Sequence, residues 1–133
     1  MAHVVAAIIF RKSPEGQKEY LFMSTKRDYG ERTGFLQPTA GHVEERETEE
    51  QALKREVHEE LNVGIKSLQK LADLPGDVPN YTVHWWECEL ADLNFTVRVE
   101  EISKTYWLTR AQLIERSDIW PATKKFFEES LTE

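Results

Sequence analysis

The sequence predicts a mixed α/β fold in a single domain over residues 1–133, and three observations lead to this expectation. A chain of 133 residues is long enough to bury one hydrophobic core. Residues 4–10 form an apolar, β-branched run that is typical of a buried central strand. Leu53, Val57 and Leu61 recur every four positions, which is the spacing of the buried face of a helix. Strand and helix patterns in one chain of this length indicate an α/β domain.

The first half of the chain contains two predicted strands and the predicted helix. The strand at residues 4–10 leads into a turn at 13–16, which includes Pro14 and Gly16. A second strand is expected at residues 19–27, and the polar segment 28–33 is expected to be a loop. The helix is expected at about residues 48–61, because Asn62 and Gly64 tolerate the left-handed backbone angles that end a helix.

The second half predicts more strands and then two helices. Apolar and alternating segments predict strands at residues 65–71, 82–90, 95–99 and 105–108. Thr109 is expected to cap a helix that runs to about residue 116, and Pro121 is expected to open the last helix. Trp85 and Trp86 are neighbours on a strand and must point to opposite faces. We expect one of them in the core, whereas the other could stack on a base; Trp120 is expected to be a packing anchor.

Charge and composition exclude several classes of protein. The formal net charge is −7, from 17 basic and 24 acidic residues, which argues against nucleic acid as the main partner. No stretch approaches the roughly 20 apolar residues of a membrane span, and no signal peptide is expected. Cys88 is the only cysteine, so no intramolecular disulfide can form. The sequence therefore predicts a cytoplasmic protein without a membrane partner, either a monomer or a homodimer.

The acidity is concentrated in one segment. Residues 44–60 hold eight acidic and three basic residues, a local charge of −5. On a helical wheel, Glu56, Glu59 and Glu60 fall within an arc of roughly 100°, beside the apolar face. A glutamate-rich helix is more often a solvated surface, but carboxylates at this spacing repel one another unless a cation lies between them. Mg²⁺ or Mn²⁺ are the cations that such hard oxygen ligands favour.

The spacing across the whole segment distinguishes these two interpretations. It matches the pattern G-x5-E-x7-R-E-U-x-E-E-x-G-U, in which U is a bulky apolar residue. Eight positions are in register: Gly41, Glu47, Arg55, Glu56, Val57, Glu59, Glu60 and Val63. Asn62 replaces the last glycine, and asparagine is the next best residue for a left-handed helix end. In this segment the chain resembles the Nudix hydrolase family, which implies an α/β/α sandwich with a central mixed β-sheet, a catalytic loop-helix-loop and a C-terminal helix.

The resemblance also implies roles for individual residues. Glu56, Glu59 and Glu60 would bind Mg²⁺ or Mn²⁺, with the backbone carbonyl of Ala40 as a further ligand. Arg55 would pair with Glu47 and hold the loop against the helix. Family members often carry an acidic residue six positions before a tryptophan that ends a strand, which is the spacing of Glu101 and Trp107. Water would be activated by Glu56 or Glu101, with Glu100 as the alternative, and Arg27 and Thr39 could contact phosphates.

The implied activity is hydrolysis of a phosphoanhydride in a small nucleotide. A nucleoside triphosphate, cleaved to monophosphate and pyrophosphate, is the expected substrate. Residues 36–44 are similar to the loop of bacterial pyrophosphohydrolases for dATP and dihydroneopterin triphosphate, although Leu36 and Ala40 depart from it. Dinucleoside polyphosphates and ADP-ribose are alternative substrates. A nucleotide sensor without turnover is an alternative of another class, although the four box glutamates argue against it; an isopentenyl diphosphate type isomerase fits poorly with a single Cys88.

Overall fold

The computed structural model describes residues 2–131 and contains six strands, three α-helices and one 3₁₀ turn. The strands are β1 (Ala2–Lys12), β2 (Lys18–Thr25), β3 (Thr39–His42), β4 (Ile65–Pro75), β5 (Tyr81–Leu90) and β6 (Ile102–Leu108). The helices are α1 (Glu49–Leu61), α2 (Arg110–Glu115) and α3 (Pro121–Glu129), and the 3₁₀ turn spans Gly30–Arg32. Within residues 2–131, no helix combines the length and apolar character that a bilayer crossing requires.

One mixed sheet, in the order β4-β5-β1-β2-β6, forms the middle layer of the fold. β1 and β5 are parallel, whereas the other pairs in this order are antiparallel. On the side away from β5, β1 pairs with β3 along Val4–Ala7 and with β2 along Phe10–Lys12. The sheet therefore divides on this side of β1. A bridge between Met23 and Gln37 joins β2 to the segment that leads into β3, and beyond it a gap bordered by Thr25 and Ala40 lies between β3 and the end of β2.

Helices cover both faces of the sheet, which is the predicted α/β/α sandwich. Residues 5–9 of β1 are at most 2% exposed because alternate side chains enter two different cores. Val5, Ala7 and Ile9 pack with the apolar face of α1. On the opposite face, Ala6 and Ile8 pack with a core that includes Leu113, Trp85, Phe126 and Phe127.

Most predicted elements are present, with several corrections. The prediction of a strand at 95–99 is wrong, since these residues are not extended in the sheet. Instead, Asn62 Nδ2 donates to the Thr96 hydroxyl at 3.2 Å. The Arg98 N–H donates to the Glu60 carbonyl at 2.8 Å. These bonds hold the segment over the end of α1 instead of at a sheet edge. β3 was not predicted at all. The second strand ends at Thr25, so Arg27 lies just beyond it.

The helix boundaries follow from local chemistry. Thr48 forms a capping box with Gln51, and Thr109 forms the same motif with Gln112 at the start of α2. Asn62 ends α1 with left-handed angles (φ 53°, ψ 40°), as expected for the residue that replaces glycine in the motif. Trp85 is a core residue, while Trp86 on the other face donates its indole N–H to Glu49 at 2.9 Å.

Candidate active site

The acidic residues of the motif are brought together by the docking of α1. Its buried residues, Ala52, Leu53, Val57 and Leu61, fix the rotation of the helix against the sheet. Glu56 and Glu60 are therefore placed at the edge of the buried face, and Glu59 remains exposed to solvent. The three carboxylates border a cavity of about 340 Å³, which we call the acidic cavity; it is also lined by Arg27, Ala40, Gly41, His42, Glu44, Arg55, Arg98 and Glu101.

Arg55 links the helix to the loop that precedes it. Its guanidinium donates to both carboxylate oxygens of Glu47, at 2.7 and 2.9 Å, and to the carbonyl of His42 at 3.0 Å. A further hydrogen bond reaches Glu56 Oε1 at 2.8 Å. The bond from Arg55, followed by that from the Glu44 N–H, lowers the pKa of Glu47 to about 2. The bidentate contact with Glu47 fixes both the angle and the distance of the Arg55 guanidinium. Because the guanidinium is fixed, its bond to Glu56 sets the orientation of that carboxylate.

Gly41 is the residue that makes room for Glu56. A methyl group built on its Cα would overlap with the Glu56 carboxylate. The backbone angles of Gly41 do not require glycine, so the requirement is for space alone. Burial raises the pKa of Glu56, and the hydrogen bond and charge of Arg55 act against that increase.

Glu60 is the least well solvated carboxyl group of the cluster. Its Oε2 atom is buried and has no hydrogen-bond partner among the described residues. Burial raises the pKa of Glu60 to about 8; the negative charge of Glu56 adds to the increase, and the Thr39 hydroxyl opposes it. An unsatisfied carboxylate oxygen is unfavourable in the absence of a cation. Buried and exposed carboxylates around one cavity therefore fit a hard divalent cation.

A second cavity adjoins the acidic cavity in the gap between β3 and the end of β2. This central cavity, of about 510 Å³, is lined by Val4, Thr25, Lys26, Arg27, Tyr29, Gln37, Ala40, Gly41, His42, Glu60, Glu100 and Glu101. Glu100 borders only the central cavity, whereas six residues border both: Arg27, Ala40, Gly41, His42, Glu60 and Glu101. Lys26 and Tyr29 of the central cavity and Arg98 of the acidic cavity were not predicted, because no pattern in the sequence distinguishes them; Gln37 was noted only as part of the loop 36–44.

Two of the predicted site residues differ in accessibility. Thr39 is 1% exposed and lines neither cavity, so its hydroxyl faces Glu60 and not the open space. Glu101 is exposed, and its negative charge contributes to the raised pKa of Glu60. Its backbone is fixed on two sides: the Glu101 N–H donates to the Arg98 carbonyl at 3.0 Å, and the Glu101 carbonyl accepts from the Lys26 N–H at 2.8 Å.

A separate polar cluster lies at the other end of α1. Glu49, Asp73 and His84 place ligand atoms within 4.8 Å of one another, an arrangement that could hold a metal ion. However, the Lys70 ammonium contacts both Glu49 and Asp73, at 3.1 and 2.9 Å. The Lys70 ammonium thus bridges the two carboxylates and offsets one of their two negative charges, and His84 Nδ1 lies within hydrogen-bond distance of Asp73 Oδ1, which links the cluster into one hydrogen-bonded network. Sequence reasoning missed it because its members come from α1, β4 and β5.

Comparisons with known proteins agree with this geometry. Residues 1–130 match the family model of the NUDIX domain. The NAD-capped RNA hydrolase NudC of Haemophilus influenzae is 33% identical over 94 residues, which are 71% of this chain but only 36% of the relative's length.

Solved structures show the same fold. The MutT NUDIX hydrolase from Burkholderia pseudomallei aligns with a TM-score of 0.79 and 20% identity, covering 98% of each chain. An Ap4A hydrolase from C. elegans aligns with a TM-score of 0.74 and 20% identity, covering 96% of this chain and 93% of the other.

Proposed function

The chain belongs to the Nudix family, and we propose that it is a divalent-cation-dependent hydrolase of a nucleotide phosphoanhydride. The observation that carries the proposal is the buried Oε2 of Glu60, which has no hydrogen-bond partner within residues 2–131, next to Glu56 at a cavity wall. Two carboxyl groups whose pKa values are both raised are unfavourable neighbours unless a cation is bound with them. Perturbed carboxyl groups in a cleft are typical of functional sites.

Glu56, Glu59 and Glu60 are the proposed ligands of Mg²⁺, which Mn²⁺ could replace, with the carbonyl of Ala40 as a further ligand. When bound, the cation would neutralise the carboxylates, polarise phosphoryl oxygens and lower the pKa of a coordinated water. Arg55 acts as a positioning residue, because its bonds to Glu47 and Glu56 fix the carboxylate that faces Gly41. Together these residues would allow an anionic substrate to enter an acidic cavity.

The remaining roles concern the substrate and the proton. Glu101 borders both cavities and is solvent-exposed, so its carboxylate can accept a proton from the attacking water. We assign it as the general base, with Glu56 and Glu100 as alternatives. Arg27 lies at the junction of the two cavities, where its guanidinium can bind phosphate oxygens. Thr39 is the weakest of the proposed phosphate contacts, because it is buried.

A nucleoside triphosphate, cleaved to a monophosphate and pyrophosphate, is the proposed substrate. The similarity to an NAD-capped RNA hydrolase favours a second candidate, the pyrophosphate linkage of a dinucleotide or of ADP-ribose. Since the chain spans about a third of that relative's length, this second candidate rests on the shared domain alone. A sensor without turnover is the alternative of another class.

The test is incubation of the protein with Mg²⁺ and a panel of nucleotides, followed by identification of the products by mass. Glu60→Gln is expected to lower turnover at least a hundredfold while circular dichroism shows a folded protein, because one charged ligand is lost. Glu50→Gln is the matched control, since Glu50 is an exposed residue of the same helix that lines neither cavity. Wild-type turnover in Glu60→Gln would contradict the assigned cation site, and tight binding of a nucleotide without any hydrolysis would favour the sensor.

A further inference from the structure

Arg98 is a cationic residue that lines the acidic cavity but not the central one. It opens the turn at residues 98–101, which also carries Glu101. The Arg98 carbonyl accepts from the N–H groups of Glu101 and Ile102, at 3.0 and 2.9 Å, and the Arg98 N–H donates to the carbonyl of Glu60. The main chain of residue 98 is therefore fixed beside a proposed cation ligand and the proposed base, whatever side chain it carries.

The guanidinium of Arg98 is loosely held. In the described part of the chain its ionic contact is with Glu101, where Nη1 lies 3.8 Å from Oε1. This distance is longer than a hydrogen bond, and both side chains are about half exposed, so the pair is weak. Arg55 is the opposite case, because its nitrogens bond to Glu47 and Glu56. Arg98 can therefore change its partner at little cost in free energy, whereas Arg55 cannot.

The charges around the acidic cavity create a need for such a guanidinium. Its wall carries five carboxylates and three guanidinium groups: Glu44, Glu56, Glu59, Glu60 and Glu101, with Arg27, Arg55 and Arg98. One divalent cation offsets two of the negative charges, and Arg55 is already bound to two glutamates. A phosphate chain that enters this cavity needs donors that are not already paired. Arg98 supplies them inside the acidic cavity, as Arg27 does at the junction with the central cavity.

The position of Arg98 beside Glu101 determines which oxygens the guanidinium can reach. The attacking water lies next to Glu101, because that carboxylate is the proposed acceptor of its proton. In an in-line displacement the leaving oxygen lies on the far side of the phosphorus from the water. A guanidinium 3.8 Å from Glu101 is on the side of the water, so it reaches non-bridging oxygens and not the leaving oxygen. These non-bridging oxygens share the negative charge of the transition state.

We infer that Arg98 is a catalytic residue that binds the non-bridging oxygens of the phosphorus under attack and stabilises their charge in the transition state. In this step the water oxygen forms a bond to phosphorus, and Glu101 receives a proton from the water. The bond from phosphorus to the bridging oxygen breaks, and the leaving phosphate keeps its electron pair. Arg98 exchanges its weak contact with Glu101 for the phosphoryl oxygens, which leaves that carboxylate free to accept the proton. The inference rests on the proposed function and on Glu101 as the base.

Kinetics provide the first test, with Mg²⁺ and the nucleotide of the panel that the wild type hydrolyses fastest. Arg98→Ala is expected to lower kcat about a hundredfold and to raise KM only about three- to fivefold, because the contact strengthens in the transition state. Arg98→Lys keeps the charge without the planar fork, and its kcat should exceed that of Arg98→Ala about tenfold. Guanidinium ions, added to Arg98→Ala well below denaturing concentrations, should raise its kcat.

Lys54→Ala is the matched control for the loss of one positive charge. Lys54 is an exposed residue of α1 that lines neither cavity, so this variant should have the kcat and KM of the wild type. Urea titrations should give Arg98→Ala the stability of the wild type, because the hydrogen bonds of residue 98 belong to its main chain.

A binding measurement provides a test that needs no turnover. Imidodiphosphate has a P–N–P bridge in place of the P–O–P bridge, and calorimetry in Mg²⁺ buffer measures its affinity for the protein. Arg98→Ala is expected to weaken this binding about three- to fivefold, the same factor as for KM, because both report the contact made before the transition state. Lys54→Ala should bind imidodiphosphate as the wild type does.

The outcomes separate the two proposals. If the wild type hydrolyses a nucleotide and Arg98→Ala keeps more than about a third of its kcat, the inference is overturned and the proposed hydrolysis stands. A loss of activity that neither lysine nor guanidinium restores, with unchanged binding of imidodiphosphate, would also overturn it, in favour of a structural role for Arg98. If no nucleotide is hydrolysed but Arg98→Ala weakens the binding of imidodiphosphate, the proposed hydrolysis fails and the phosphate contact of Arg98 stands.

Discussion

Glu60→Gln should stabilise the metal-free protein at alkaline pH, in addition to its expected loss of activity. The reason is that Glu60 is buried beside Glu56, and no hydrogen-bond donor in the described part of the chain reaches its Oε2 atom. The native state holds the Glu60 proton up to a pKa of about 8, whereas the unfolded chain releases it near 4.5. Between these two values the native state binds more protons, so the free energy of unfolding falls as the pH rises.

The size of this effect follows from the interval between the two pKa values. Each unit of pKa difference corresponds to about 1.4 kcal/mol, so ionising Glu60 lowers the free energy of unfolding by an amount on the order of 5 kcal/mol. The full decrease is reached once the pH exceeds about 8. Glutamine carries no charge and avoids most of this cost. The free energy of unfolding of Glu60→Gln should therefore exceed that of the wild type by several kcal/mol at pH 9 and differ by less than about 1 kcal/mol at pH 4.5.

Urea denaturation in EDTA, followed by tryptophan fluorescence at a series of pH values, measures the difference. Added Mg²⁺ should stabilise the wild type at pH 9 and leave Glu60→Gln nearly unchanged, because only the carboxylate gains a counterion. Glu50→Gln, at an exposed position of the same helix, should show no such pH dependence. A difference between Glu60→Gln and the wild type that stays constant from pH 4.5 to 9 would refute the reasoning.

Substitutions at three further positions test the supports of the site. Gly41→Ala should reduce turnover at least tenfold and weaken Mn²⁺ binding measured by calorimetry, because the methyl group displaces the Glu56 carboxylate; unchanged kinetics would contradict the assigned contact. Arg55→Lys should reduce kcat tenfold or more, since lysine cannot hold Glu47 with two bonds, and a wild-type kcat would contradict its positioning role. Asn62→Ala should lower the free energy of unfolding by about 1 kcal/mol, and Asn62→Gly by less, in urea titrations; equal losses would argue against a left-handed helix end.

The ends of the helices could be predicted because their causes are local. Thr48 and Thr109 cap their helices with the side chain three residues further on, and Asn62 supplies its own backbone angles. The placement of Glu56, Glu59 and Glu60 on one side of α1 could also be predicted. The spacing of residues along a helix determines which side chains lie on the same side. The helix ends depend on about four consecutive residues, and the placement of the glutamates depends only on the period of the helix.

Features that depend on distant partners could not be predicted. β3 has only four residues, and its extended state is due to pairing with β1. Residues 95–99 alternate like a strand, and Phe95 and Val97 do pack on the core, but the backbone N–H of Arg98 donates to α1 and its carbonyl accepts from the turn that follows. A small cavity on the face of the sheet that α3 covers joins residues of β1, β3, β5 and α3, and no sequence pattern relates Trp85 to Trp120 in its wall.

The hydrogen bond from the Arg98 N–H to the Glu60 carbonyl has a consequence for how the protein can vary. It attaches the turn that carries Glu101 to the same residue whose side chain lies in the acidic cavity, so the spacing of these two carboxylates is set at the attachment point. The exposed residues 91–94, between β5 and the packed side chain of Phe95, therefore do not define that spacing and can change in length, as an engineered insertion near Leu93 would show. Such a loop offers a place to add binding or specificity elements while the catalytic geometry stays constant.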